Sequence, residues 1–134
     1  MAGKAAAMTS GRDLEFAVVS LGAHLGLHAD TQFRVGRRIW GAERRIDVIL
    51  THAQSTRRLG VECKFQGVAG SVEEKIPTTI SDIAAWPIPG IVVFAGVGFS
   101  PNMRAFLLAS GKAVELEDLE PYLRLFFSLP LVSV

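Results

Sequence analysis

The chain has little cysteine, no long uninterrupted hydrophobic run and no excess of charge of either sign. Cys63 is the single cysteine among 134 residues, which excludes an intramolecular disulfide and a cysteine-based zinc site. Lys and Arg number 14 and Asp and Glu number 13, so the formal net charge is +1. The overall charge therefore does not indicate a nucleic-acid partner. Any sign of function must come from local patterns in the sequence.

Residues 84–102 form a long stretch without charged residues, which is interrupted by prolines and glycines. A membrane-spanning helix needs about 20 consecutive apolar residues, so this stretch predicts a turn followed by a buried strand. Residues 1–9 are too weakly apolar for a signal peptide and are expected to form a flexible leader. We therefore expect a cytoplasmic protein without a membrane partner, with a single domain over residues 10–134.

Hydrophobic residues make up 49% of the chain, which is a large share for a soluble protein of this length. The C-terminal residues 125–134, LFFSLPLVSV, are also mostly apolar. Apolar surface in such excess is usually covered by a partner. The composition therefore predicts a homodimer.

Hydrophobic periodicity and turn signals predict nine elements in the order α-β-β-β-α-β-α-β-α. The predicted helices are 11–27 (with Ser10 as N-cap), 71–85 (kinked at Pro77), 101–109 and 117–128, and the predicted strands are 31–40, 45–51, 59–66, 88–96 and 113–116. Strand 88–96 is fully apolar, which is typical of the buried centre of a sheet. The order predicts an α/β fold with a mixed central sheet flanked by helices.

Two consecutive strands carry charged residues among apolar neighbours. A hairpin centred between Gln54 and Ser55 pairs residues whose numbers sum to 109, which places Asp47 opposite Glu62. Directly opposed side chains have Cβ atoms about 5 Å apart. Lys64 lies on the same strand face as Glu62, because side chains alternate along a strand. Two carboxylates and a lysine are therefore expected to share one patch.

This patch has the chemistry of a metal-dependent phosphodiesterase. Two neighbouring carboxylates suit a hard divalent cation, Mg²⁺ or Mn²⁺, which polarises a phosphodiester and helps to form hydroxide from water. Lys64 can stabilise the charge that develops or orient the attacking water. The alternative is an unrelated α/β domain in which these three charges are structural, and removing Asp47 would then lower stability rather than activity.

These residues resemble the PD-(D/E)XK nuclease superfamily, which has the restriction-endonuclease-like αβββαβ core. The resemblance rests on Asp47, on the segment Glu62-Cys63-Lys64 and on the order of elements over residues 10–96. It implies that Asp47 and Glu62 are metal ligands and that Lys64 is the catalytic lysine of a DNA endonuclease. Ile46 stands where many members have proline. A catalytically inactive module that keeps this fold for nucleic-acid binding or protein assembly is the alternative.

The resemblance also assigns roles outside the hairpin. Glu15 matches the additional acid that many members place on the first helix, as a metal ligand and catalytic residue, although from residue type alone it is also explained as a first-turn acid favoured by the helix dipole. Gln66 matches the last position of the extended catalytic motif E-x-K-x-Q. The resemblance also places Lys75 near a phosphate. Separately, the concentration of arginines over residues 34–58 predicts a local basic face, so the residues expected to contact the DNA backbone are Arg34, Arg37, Arg38, Arg57, Arg58 and Lys75.

Overall fold

A five-stranded mixed sheet organises residues 10–37, 41 and 43–131, the part of the chain that the computed structural model describes. The strands are β1 (His28–Arg37), β2 (Glu43–Thr51), β3 (Arg58–Phe65), β4 (Gly90–Ala95) and β5 (Ala113–Glu115). The helices are α1 (Gly11–His24), α2 (Ile76–Ala85), α3 (Pro101–Ala109) and α4 (Leu119–Phe126), with 3₁₀ turns at Ser71–Lys75 and Leu116–Asp118. Within these ranges, no helix is long and apolar enough to cross a membrane. The predicted leader, residues 1–9, lies outside the described residues.

The strands lie in the order β1-β2-β3-β4-β5. The first three are antiparallel neighbours, whereas β3, β4 and β5 run parallel to one another. Every residue of β4 is buried, as its apolar sequence predicts. The predicted order of elements and the α/β fold with a mixed, helix-flanked sheet are therefore confirmed.

Two hydrophobic clusters cover the two faces of the sheet. Helices α1 and α4 pack on one face through buried residues such as Leu14, Val18 and Leu123. Helices α2 and α3 pack on the other face, where Ile83 and Leu107 are buried. The sheet is thus covered by helices on both sides, and its polar residues must lie where this coverage ends.

Helix α1 ends at His24, earlier than the predicted range of 11–27. Gly26 has a φ of 79°, the left-handed conformation that commonly ends helices. The amide of Leu27 then donates to the carbonyl of Gly22 and closes the helix terminus. The chain is therefore free to enter β1 at His28, three residues before the predicted start of that strand.

The predicted kink at Pro77 is wrong. A 3₁₀ turn over Ser71–Lys75 comes first, and α2 begins at Ile76, so that Pro77 falls in its first turn. Amides of the first turn have no acceptor within the helix, so proline loses nothing there. Pro77 thus starts a helix rather than bending one. The last predicted helix, 117–128, is likewise preceded by a 3₁₀ turn and is shorter than predicted.

Candidate active site

The β2–β3 hairpin has the predicted register up to the edge of the site. Four successive backbone pairs, ending at Val48–Val61, have residue numbers that sum to 109. Asp47 and Glu62 are the next residues on the two strands and lie beyond this last pair. Their side chains interact directly, since the negative charge of Asp47 affects the ionisation of Glu62. The hairpin register thus brings the two predicted carboxylates together.

The sheet is irregular at Asp47. Ile46 belongs to the hydrophobic cluster under α2 and α3, whereas Val48 belongs to the opposite cluster, although residues two apart share a face in a regular strand. On the other side of β2, the ladder to β1 omits the position where Gln32 would pair with Asp47. Gln32 itself has a φ of 53°. The irregularity leaves Asp47 outside the regular pairing of both neighbouring strands.

Both oxygens of the Asp47 carboxylate accept hydrogen bonds. The backbone amide of Cys63 on β3 donates to Oδ2 at 2.9 Å. The side-chain amide of Gln32 on β1 donates to Oδ1 at 3.3 Å. The carboxylate is therefore fixed between the strands on either side of it, next to Glu62.

Glu62 and Lys64 lie on β3 with side chains that are mostly buried, 19% and 23% exposed. Lys64 Nζ is 3.8 Å from Glu62 Oε2. The other oxygen, Oε1, is buried and has no hydrogen-bond partner among the residues that the structure describes. Burial, together with the charge of Asp47, raises the pKa of Glu62 to about 8, and the nearby Lys64 only partly opposes this rise. Within the described ranges, Glu62 is thus a buried carboxyl group that is paired with Lys64 through one oxygen and has its other oxygen free to bind a further cation.

Glu15 on α1 is connected to this pair through Gln32. Glu15 Oε1 accepts a hydrogen bond from Gln32 Nε2 at 2.9 Å, and the same nitrogen reaches Asp47. Partial burial raises the pKa of Glu15; the hydrogen bond from Gln32 opposes the rise, and the charge of Asp47 adds to it. The third predicted acid therefore lies within electrostatic range of Asp47.

The three acids Asp47, Glu62 and Glu15 are the residues that would hold a divalent cation. Over the described ranges, no group of three or more His, Cys, Asp and Glu side chains is already arranged as a metal site. The pair of Asp47 and Glu62 nevertheless fits a cation, because it combines like charges with an unpartnered, buried oxygen. The donors are hard oxygens, which Mg²⁺ and Mn²⁺ prefer. The residues present thus fit the predicted ion, with Glu15 linked to the pair through Gln32.

A family model for the PD-(D/E)XK nuclease superfamily domain matches residues 6–126, most of the chain. The chain belongs to the PD-(D/E)XK nuclease superfamily. The resemblance of Asp47 and Glu62-Cys63-Lys64 to this superfamily is confirmed at the level of the family. No curated protein matches the chain at a significant level.

Two solved structures have folds similar to that of this chain. The protein of unknown function AF1548 is 18% identical with a TM-score of 0.53, over 75% of this chain and 55% of that one. Protein VC1899 from Vibrio cholerae is 15% identical with a TM-score of 0.51, over 89% of this chain and 33% of that one. At these identities the likeness shows the fold alone. The chain covers less than two thirds of the length of either of these proteins.

Gln66, the last residue of the superfamily's E-x-K-x-Q pattern here, ties β3 to the turn after β4. Its side-chain Nε2 donates to the carbonyl of Gly98 at 2.8 Å, and its backbone bonds to Ala95 and Gly98. A Cβ at Gly96 would lie 2.3 Å from the Gln66 carbonyl, so only glycine allows this approach. These contacts of Gln66 hold the loop beyond the site, and its predicted catalytic role stays a prediction.

The predicted DNA-contacting residues of this PD-(D/E)XK chain divide between the two ends of the hairpin. Arg34 and Arg37 lie on β1 towards the start of β2, and Arg34 Nε is 3.5 Å from a Glu43 oxygen. Lys75 is exposed in the 3₁₀ turn that follows β3. Arg38 lies outside the described residues. Arg34, Arg37 and Lys75 are at the end of the hairpin towards which Glu62 and Lys64 lie.

Arg57 and Arg58 lie at the opposite end, beside the hairpin turn. Arg57 donates to the backbone carbonyl of Phe126, and its guanidinium carbon is 4.3 Å from the centre of that ring. Arg58 borders a groove of about 370 Å³ that Phe33 and Ile88 also line. Four residues along β3 separate Arg58 from Glu62, a distance of about 13 Å. The structure therefore does not bring these two arginines to the carboxylates.

The sequence interpretation missed Gln32, which contacts two of the three acids. The register of β1 on β2 has numbers that sum to 79 on both sides of this position, which would have placed Gln32 opposite Asp47. That sum depends on the connection between the strands, which has no turn motif that fixes its length. Glutamine in an exposed strand carries no signal by itself.

Proposed function

We propose that this protein is a Mg²⁺- or Mn²⁺-dependent endonuclease that hydrolyses phosphodiester bonds in DNA. The observation that carries the proposal is the joining of Asp47 and Glu62 beside Lys64, on two strands whose regular pairing ends there. Membership of a nuclease superfamily supports the reaction class and a nucleic-acid substrate. The metal requirement and the choice of DNA are the proposed parts.

Asp47 and Glu62 would hold the cation, with Glu15 as a further ligand. When bound, Mg²⁺ or Mn²⁺ supplies polarisation of the phosphoryl oxygen and a lowered pKa for an attacking water. Asp47 is oriented by the Cys63 amide and by Gln32 before any substrate arrives. Such preorganisation removes reorganisation from the reaction itself, which is the main source of electrostatic catalysis.

Lys64 would act on the phosphate rather than on the cation. Its ammonium group lies 3.8 Å from Glu62 Oε2 and is only 23% exposed. A partly buried charge is less screened by water and interacts more strongly with a developing negative charge. Lys64 can therefore donate to a non-bridging phosphate oxygen, or hold the attacking water next to Glu62.

Substrate contacts would come from basic residues at the same end of the hairpin. Arg34, Arg37 and Lys75 are exposed there and would bind phosphates without sequence preference, with an affinity that falls steeply with salt. Arg38 belongs to the same proposed set. Arg57 and Arg58 would contact only DNA that extends about 13 Å past the carboxylates.

Nicking of supercoiled plasmid and of a branched DNA, with Mg²⁺, Mn²⁺ or EDTA, tests the proposal. Asp47→Asn keeps the acceptor for the Cys63 amide, and Lys64→Ala removes the ammonium group. We expect metal-dependent cutting that falls at least about 100-fold in both variants. Lys112→Ala, which removes an exposed lysine beside β5, is the matched control and should cut like the wild type.

The proposal that this protein is an enzyme would be contradicted if folded wild-type protein cut neither DNA and bound no Mn²⁺ by calorimetry. That result would favour the inactive module that keeps this fold for nucleic-acid binding or protein assembly. A strong preference for branched DNA would instead indicate recognition of DNA structure, since the described residues form one sheet-centred unit around the site.

We also propose that the protein is a homodimer with paired sites that cut two strands. Leu125 on α4 and Leu131 after it are 68% and 64% exposed, and Phe16 on α1 is 73% exposed. Helices α1 and α4 cover the same face of the sheet, and apolar surface gathered on one face is the kind that a partner covers. Light scattering at micromolar concentration measures the mass, and a monomer would contradict the proposal.

A further inference from the structure

Gln32 has a backbone conformation that its position in a strand does not require. Its φ is 53°, in the left-handed region that residues with a Cβ rarely adopt. The strand is regular on both sides, where Thr31 pairs with Val48 and Phe33 with Ile46. Such an outlier persists when the surroundings fix it, and these outliers are concentrated at functional sites.

The side chain of Gln32 joins two carboxylates from different elements. Its Nε2 is 2.9 Å from Glu15 Oε1 on α1 and 3.3 Å from Asp47 Oδ1 on β2. A side-chain amide nitrogen carries two hydrogens, so each carboxylate can receive one. Gln32 is therefore a donor placed between two groups of like charge.

Stability does not explain this arrangement. Gln32 is exposed, and hydrogen bonds open to water contribute little to folding because water replaces them. Glycine would adopt the same φ without strain. The cost of the conformation is thus balanced by what the amide does for Glu15 and Asp47.

We propose that Gln32 is a positioning residue, which aims Glu15 at the Asp47–Glu62 pair so that all three acids can reach one cation. The inference rests on the proposed function. Groups that orient ligating carboxylates in this way commonly change metal affinity by 10- to 100-fold. Glu15 comes from a helix rather than from the hairpin, so it is the acid whose direction most needs such a partner.

The test compares Gln32→Gly with Thr56→Gly. Gln32→Gly removes the amide and keeps a residue suited to positive φ. Thr56 has a φ of 59° in the hairpin turn, at the opposite end of the hairpin from Glu62, so a glycine there makes the same backbone change away from the acids. The measurements are Mn²⁺ affinity of the free protein by calorimetry, Tm in EDTA, and the Mn²⁺ concentration that gives half-maximal nicking.

We expect Gln32→Gly to weaken Mn²⁺ binding by about tenfold or more and to raise the half-maximal Mn²⁺ concentration by the same factor. Its Tm in EDTA should stay within about 4 °C of the wild type. The rate at saturating Mn²⁺ should change less than the affinity, because the amide acts through Glu15. Thr56→Gly should leave the Mn²⁺ affinity unchanged.

The inference and the proposed function fail in different ways. Wild-type protein that binds Mn²⁺ and cuts, with an unchanged Mn²⁺ affinity in Gln32→Gly, would overturn the inference and leave the nuclease standing. A fall of more than about 10 °C in Tm for Gln32→Gly would also overturn it, since the residue would then be structural. Wild-type protein that neither binds Mn²⁺ nor cuts would overturn both.

Discussion

The two ends of the β2–β3 hairpin are built from the same strands in opposite ways. At the turn end, Leu50 pairs with Leu59, both side chains are fully buried, and the amide of His52 donates to the carbonyl of Arg57. At the other end the backbone pairing stops, and the side chain of Asp47 accepts a hydrogen bond from the Cys63 amide on β3. One end satisfies its polar groups with backbone, the other with a carboxylate.

The polar groups of the two ends also differ in their exposure to water and in their partners. Near the turn, His52 Nδ1 lies 2.7 Å from Ser55 Oγ, in an exposed position where water can complete the bonding. At the open end, Glu62 is largely buried beside Asp47, with one oxygen unpartnered among the described residues. Burying like charges costs stability unless a cation compensates. The turn end therefore stabilises the fold, whereas the open end lowers stability, which is the trade-off expected of the proposed active site.

Leu59→Ala is expected to have the largest effect on stability and little effect on the chemistry. Leu59 is fully buried in the hydrophobic cluster under α1 and α4, so its truncation leaves a cavity. We expect the free energy of unfolding to fall by about 3 kcal/mol, measured by urea denaturation. Leu108→Ala, at an exposed leucine on α3, is the control and should change it little.

The rate of nicking per folded molecule should be unchanged in Leu59→Ala. This separates the two ends, because the turn end would then support the site only by keeping the chain folded. A rate of nicking per folded molecule well below that of the wild type would show that the turn end also shapes the carboxylates. The division between the two ends would then be wrong.

Glu62→Gln should stabilise the metal-free protein, and the gain should grow with pH. The pKa of Glu62 is raised from 4.5 to about 8 in the folded protein. Between these values the unfolded chain loses this proton while the folded chain keeps it, so the free energy of unfolding of the wild type falls as pH rises, by at most about 1.4 kcal/mol per unit. Glutamine does not titrate and removes this slope.

We expect the free energy of unfolding of Glu62→Gln relative to the wild type to rise by about 2 kcal/mol between pH 5.5 and 7.5. The measurement is urea denaturation in EDTA at several pH values. Glu74→Gln, at an exposed glutamate in the 3₁₀ turn, is the control for loss of one carboxylate. Parallel pH profiles for wild type and Glu62→Gln would contradict the view that the open end is destabilised by Glu62.

The sequence was sufficient to predict the pairing of the two strands and the meeting of Asp47 with Glu62. A short polar turn fixes the centre of a hairpin, and strand alternation does the rest. The same local information correctly predicted the bounds of α3, where Ser100 caps the helix by accepting from the Met103 amide. Local signals therefore predicted the part of the site that local geometry builds.

The rest of the site depends on contacts between distant segments. Gln32 reaches Glu15 across 17 positions and Asp47 across 15, through a register that no turn motif in the sequence fixes. Arg57 meets Phe126 across 69 positions, so its basic charge suggested DNA while the fold gives it a packing partner. Residue type indicates what a side chain can bind, and tertiary structure decides which partner is near.

Arg57→Ala gives the smallest expected effect and tests the turn end directly. The guanidinium donates to the Phe126 carbonyl and lies 4.3 Å from the centre of its ring, in an exposed position. We expect the free energy of unfolding to fall by about 1 kcal/mol, from one hydrogen bond and an exposed cation–π contact. Arg58→Ala, at the exposed neighbouring arginine, should change it less.

DNA affinity at several salt concentrations separates the two roles of Arg57. If the contact with Phe126 is its main role, Arg57→Ala loses stability while its DNA affinity and salt dependence match those of the wild type. A phosphate contact would have the opposite signature, with unchanged stability and a salt slope that is smaller by about one. In that case DNA would extend along the hairpin from the carboxylates to the turn, and the turn end would bind substrate as well as stabilise the fold.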